Sequence, residues 1–153
     1  MTGTDLATVF DEIMDSVVRI LKADENLTDV KEVIRGDRAR PTPYTPCLWV
    51  FGETAQADNV YTALQERWTL PVALVAVISS YEPEQAYQQA TSLAARARSA
   101  VIKHRRLLGE DGNPITAVQD VRSGRFEPSA PWHKEKNLYS AVAVMNVIFR
   151  TRE

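Results

Sequence analysis

The residues of this 153-residue chain whose types could do chemistry are few: two histidines, one cysteine and some paired carboxylates. His104 falls on an alanine-rich helical stripe near its basic end, the setting of a packed or boundary histidine rather than a ligand. His133 stands beside Trp132, Lys134 and Glu135, with no cysteine or second histidine at metal-ligand spacing. Cys47 opens an apolar run and reads as a buried or half-buried structural thiol. The pairs Asp11/Asp15 and Glu82/Glu84 fall on a solvent face and at a helix start, where structure alone accounts for them. The six glycines are scattered, so there is no Gly-rich phosphate loop, and no Gly-x-Ser-x-Gly elbow presents a nucleophile. These patterns predict no catalytic residue, no metal and no cofactor. The chain is not expected to be an enzyme.

The basic residues carry more information. Arg35, Arg38 and Arg40 are read on the first, proline-rich loop, Arg96, Arg98, Lys103, Arg105 and Arg106 on one helix, and Arg122 and Arg125 on a polar strand. Each cluster is either solvated surface charge or a local patch facing nucleic acid or an acidic neighbour. Arg35, Arg38, Arg40, Arg96, Lys103 and Arg106 make up the candidate basic patch. A formal net charge of −2 excludes a strongly basic nucleic-acid binder, and no interleaved aromatics mark a platform for single strands.

The elements that must position these groups are organised around residues 66–109. An apolar run from Val72 to Ile78 has no polar face and predicts a strand in the middle of a sheet. It leads through Glu82 and Pro83 into a helix predicted to run to about Leu108, striped with Ala86, Ala90, Leu93, Ala94, Ala97 and Val101. Pro71 places the start of that strand at an edge or bulge, so that Trp68 is expected to extend beyond the sheet. Thr4 can cap a first amphipathic helix reaching about Ala23. Strands are predicted over 28–35, 47–53, 115–126 and 139–151. Residues 60–67 suit a short helical turn or the outer part of a hairpin. Segments 36–46 and 127–137, rich in proline, read as loops.

With 44% hydrophobic and 25% charged residues, the chain predicts a single domain over 1–153 with a real core. The expected fold class is α+β: a mostly antiparallel sheet of about four to five strands, with an N-terminal helix and one long helix packed on it. Two helices cannot cover both sheet faces, and the uncovered apolar face predicts a loop or another subunit against it. A lone cysteine suits a reducing compartment, and no run reaches the roughly 18–20 apolar residues of a membrane span. A cytosolic protein, or part of an assembly built in the cytosol, is expected.

The layout resembles a known family. An N-terminal amphipathic helix and a strand precede a proline-ended loop into Pro46-Cys47-Leu48-Trp49-Val50. A long apolar strand ends in Glu82-Pro83-Glu84-Gln85-Ala86 before an alanine-rich helix, and Leu107-Leu108-Gly109-Glu110-Asp111-Gly112 leads to two closing strands. The whole is similar to the small tail-terminator or tail-completion proteins of long-tailed bacteriophages and prophages, and to the neck proteins that join head to tail. The resemblance implies a virion subunit assembled in the bacterial host cytoplasm. It implies a ring of identical subunits, commonly a hexamer, that caps the finished tail tube and meets the head connector while DNA passes through the channel. It carries no functional residue across.

On the residues themselves, subunits are expected to meet through sheet edges and the two loops. The candidate interface residues are Tyr44, Trp68, Trp132 and His133, because aromatics exposed on loops often anchor contacts. A head-closure or neck connector protein is the nearest alternative. A small cytosolic module contacting nucleic acid through the basic helix face is the alternative of another class.

Overall fold

A computed structural model of the chain describes residues 5–36, 44–58, 65–133 and 137–152. The first helix, α1 (Leu6–Ala23), buries Val9, Ile13, Met14, Val17, Ile20 and Leu21, spaced three and four apart along one stripe. Its cap is Asp5, whose carboxylate accepts from the Thr8 amide at 2.9 Å; Thr4 lies outside the described residues. A 3-10 turn at Glu25–Leu27 then leads into β1 (Glu32–Arg35), shorter than the strand expected from 28.

Five further strands and one helix follow among the described residues. They are β2 (Cys47–Gly52), β3 (Gln56–Ala57), β4 (Gln65–Ser79), α2 (Pro83–Ile102), β5 (Val118–His133) and β6 (Leu138–Arg152). They form one six-stranded sheet in the order β1-β2-β4-β6-β5, with β3 paired to β4 beyond the end of β2. The α+β class holds, with six strands rather than four or five. All pairings are antiparallel except β1 with β2, which run parallel from Glu32↔Cys47 to Arg35↔Val50.

The central strand β4 is 15 residues long and paired with β6 along its whole length. Trp68 therefore lies within the sheet, opposite Phe149, and not beyond it. The strand tolerates Pro71 because of where that residue sits. The Pro71 carbonyl accepts from the Glu53 amide at 2.8 Å, just where β2 has ended and β3 has not begun. The nitrogen that lacks a hydrogen faces the same gap, so no ladder bond is lost. The described part of 60–67 is strand, which resolves that segment as hairpin from Gln65 onward.

Two other expectations change. Helix α2 stops at Ile102, and the chain then turns through a buried Leu107 at φ 58. The Ser16 hydroxyl donates to the Leu108 carbonyl (2.7 Å) and accepts from its amide (3.0 Å), while Arg19 donates to the same carbonyl. Those bonds tie the turn to α1, and no further helical turn could make them. His104 thus lies past the helix and not on its stripe.

Strand β5, in turn, takes in most of the second predicted loop. Residues 127–133 are strand, while 134–136 lie outside the described residues. Pro128 and Pro131 do not forbid this. β5 is an edge strand with register irregularities at Glu127/Ala130 and Pro131/His133, and such places accommodate a residue without an N–H.

Both helices pack on one face of the sheet. Leu48 and Val50 of β2, the even residues Leu70–Ile78 of β4 and the odd residues Ala141–Phe149 of β6 meet α1 and α2 there in the main core. Ala86, Ala90, Ala94, Ala97 and Ala100 of α2, all buried, let its axis lie close to β4 and β6.

Candidate interaction surface

Among the described residues no helix lies on the opposite face, and alternation along the strands decides what it shows. Trp49 lies across from Val75 and Val75 from Val142; Cys47 lies across from Val77 and Val77 from Ser140. Cys47, Trp49, Val77 and Leu138 form a small second cluster, with Ile34 and Val75 half-buried at its margin. Phe51 continues the row. Its ring meets Trp49 edge-on at 6.2 Å, and the residue is 36% exposed. Gly36 lies under that ring, where a Cβ would come within 2.1 Å of Phe51 Cδ1, so a side chain there would displace the aromatic.

The cysteine in this cluster is not a reactive thiol. Burial pushes its pKa up to about 12, and the negative charge of Glu32, opposite it on β1, acts in the same direction. A thiol held protonated at neutral pH is a poor nucleophile.

The structure disperses the sequence-predicted residues. Tyr44 is 60% exposed at the entry to β2. Trp68 is half-buried against the main core, and its indole N–H donates to Thr151 Oγ1 at 3.0 Å. The backbone of Trp132 and His133 belongs to β5, not to a loop.

The described members of the candidate basic patch are each held by separate partners. Arg38 and Arg40 lie outside the described residues. Arg35 ends β1 instead of entering a loop, and it is buried on the helix side. It donates to Asp15 at 3.2 Å and Asp11 at 3.1 Å, with its guanidinium 5.9 Å from the centre of the Phe10 ring. The carboxylate pair assigned to a solvent face, one helical turn apart, is therefore the receptor for a strand arginine.

The helix cations are likewise engaged. Arg96 pairs with Asp29 and donates to the Asn26 carbonyl, and its hydrogen bonds hold the Asp29 carboxyl below the usual range. Lys103 lies 3.8 Å from Asp24. Arg106 donates to the carbonyls of Val118, Ile115 and Thr116.

At one end of the domain, α1, the 109–117 turn and the last residues of β6 enclose an open cleft of about 750 Å³. Its lining mixes Glu12, Asp15, Glu110 and Asp111 with Arg19, Arg150 and Arg152, and contains no histidine or cysteine. Among the described residues no group of histidines, cysteines and carboxylates could hold a metal ion, and no helix is long and apolar enough to cross a membrane.

Sequence reasoning missed Phe51 as a surface residue. A signal was present: Cys47, Trp49 and Phe51 are apolar on the second face of a strand whose Leu48 and Val50 already fill the first.

No protein-family model matches the chain, and none of the curated proteins matches it. Its fold does match solved structures. One is a chain from the virion of a native gene transfer agent particle, superimposing with a TM-score of 0.63 at 11% identity. The match covers 93% of this chain and 97% of that one, so the two share the fold from end to end.

Proposed function

We propose that this chain is a structural virion subunit that acts by assembly and not by catalysis. Copies of it form a ring, a hexamer, which caps the completed tail tube, stops its growth and joins it to the head, with DNA passing through the centre. The observation that carries this reading is the end-to-end fold likeness to a chain of a gene transfer agent virion. The sheet face opposite α1 and α2, where exposed Phe51 and half-buried Val75 flank buried Trp49, supports it as a surface another subunit can cover. Tyr44, exposed beside that face's first strand, and Trp132 are the aromatic anchors of this reading.

Solution mass by light scattering across concentrations, with negative-stain images, is the first test. Discrete rings with a DNA-wide hole are the expected result, and added tail tubes should be found capped at one end. Binding to head connectors with no effect on tubes would move the protein to the neck. A strict monomer that ignores both tubes and connectors would end the virion reading. The nucleic-acid module loses ground because Arg96 and Lys103 are already engaged by Asp29 and Asp24.

A further inference from the structure

A second cleft, about 420 Å³, opens beside the first and is lined by Arg106, Thr116, Val118, Gln119 and Arg150. Among the described residues no carboxylate lines it. Six arginines lie within ion-pair distance of an acid: Arg35, Arg67, Arg96, Arg105, Arg122 and Arg125. Arg19 and Arg98 meet neutral acceptors, and so do Arg106 and Arg150, which share this cleft.

Both are held by neutral acceptors instead. Arg106 is anchored through Nε to the Val118 carbonyl at 3.0 Å and through Nη2 toward the carbonyls of Ile115 and Thr116. Arg150 is anchored by its backbone amide to the Ala117 carbonyl at 2.9 Å, and its side chain meets the Gln119 carboxamide oxygen. Gln119 can reach it because β5 is irregular between Val118 and Asp120, which leaves Gln119 unpaired in the ladder. Two guanidinium groups are thus positioned on one cleft with their charge unneutralised. That is a preorganised carboxylate site.

We infer that this cleft binds a carboxylate side chain from an acidic segment of a neighbouring protein. A nucleic-acid backbone fits less well. A duplex carries phosphates along its whole stiff length and needs a continuous basic track, whereas here the adjoining turn carries Glu110 and Asp111 and the adjoining strand Asp120. A flexible peptide has to place only one carboxylate between the two arginines. The inference stands without the ring reading, since the site is complete within one subunit.

The test is an NMR titration of the arginine Nε–H resonances of the full chain. The probes are a hexaglutamate peptide, a short duplex DNA and, as control, a hexaglutamine peptide. Hexaglutamate should shift Arg106 and Arg150 together and saturably, while hexaglutamine does nothing. Arg150→Gln, at an exposed position where the fold should survive, should weaken binding about tenfold as read at Arg106, since one charged hydrogen-bond partner is lost. A thermal melt of the free variant checks the fold. Three results would each overturn the proposal: no saturable shift with hexaglutamate, saturation with DNA alone, or undiminished peptide binding by Arg150→Gln.

Discussion

The two faces of the sheet are built from the same strands and do different work. On the helix side, Leu70, Val72, Leu74 and Ala76 of β4 meet Leu93, Ala94 and Ala97 of α2 with no solvent between them. On the other side, the alternate residues of the same strand join a cluster of four buried residues, beyond which Phe51 emerges. One face closes within the subunit and supplies its stability. The other is buried at Cys47, Trp49, Val77 and Leu138 but open at its margin, where Phe51 is exposed and Val75 half-buried, which suits contact with another molecule. A strand apolar on both faces is therefore not simply a core strand: its second face can be a surface kept for assembly.

The sharpest way to break this comparison is a matched pair of truncations. Phe149→Ala empties a fully buried site on the helix face and should cost about 3–5 kcal/mol in chemical denaturation. Phe51→Ala removes the same ring from the open face. It should cost about 1 kcal/mol or less in the isolated subunit, yet shift light scattering away from the assembled species. Equal stability losses would place both rings in one core and abolish the distinction. Loss of assembly by Phe149→Ala alone would do the same.

Gly124→Ala probes the edge of the sheet. An added Cβ would lie 2.7 Å from the Val144 carbonyl oxygen, a backbone atom that cannot turn aside. A loss of about 1–3 kcal/mol is expected, with faster amide exchange in β5 and an unchanged α1. Exchange that quickens in both would show that the sheet and helix α1 open as one unit.

Arg35→Ala should cost less, about 1–2 kcal/mol. Its partners Asp11 and Asp15 are more than half exposed and can rehydrate, so no charge is left stranded in the interior. Truncations of Asp11 and Arg35 should be non-additive in a double-mutant cycle, and full additivity would remove the clamp from the account.

The smallest effect belongs to Asp29. Arg96 depresses its folded-state pKa below the ordinary 3.8, so its contribution is present above that value and is lost as pH falls through the lower folded value. Both side chains are substantially exposed, which limits the increment to about 0.5 kcal/mol. Asp29→Asn should show this difference at pH 7 and converge on the parent at the acid end of the profile, once the folded carboxylate is protonated. A constant offset across the range would mean that the carboxylate charge is not its cause.

Periodicity made the fold legible wherever burial governs it. The stripe of α1, the doubly apolar β4 and the alanine stripe of α2 were all readable, because each must hide a particular face. What escaped depends on long-range partners. The end of α2 is set by Ser16, 92 residues from Leu108, and no local signal announces it. Strand β5 continues through Pro128 and Pro131 because it lies at an edge, a fact of topology that composition does not record. The acidic partners within the candidate basic patch escaped for a related reason. Arg35 and Arg96 have their acidic partners 20 or more residues away, so a one-dimensional reading saw only the cations. Arg106 and Arg150 are 44 positions apart, and only the β5 irregularity and the 109–117 turn bring them to one cleft.

Pro128 and Pro131 have a further consequence at high concentration. A long bare edge strand is a template on which identical chains can stack without limit, and β5, at 16 residues, would be such a template if it were regular. With two of its residues lacking an N–H and its register broken at four places, it offers no uninterrupted ladder to copy. The free protein should therefore resist fibre formation even when it accumulates in large excess.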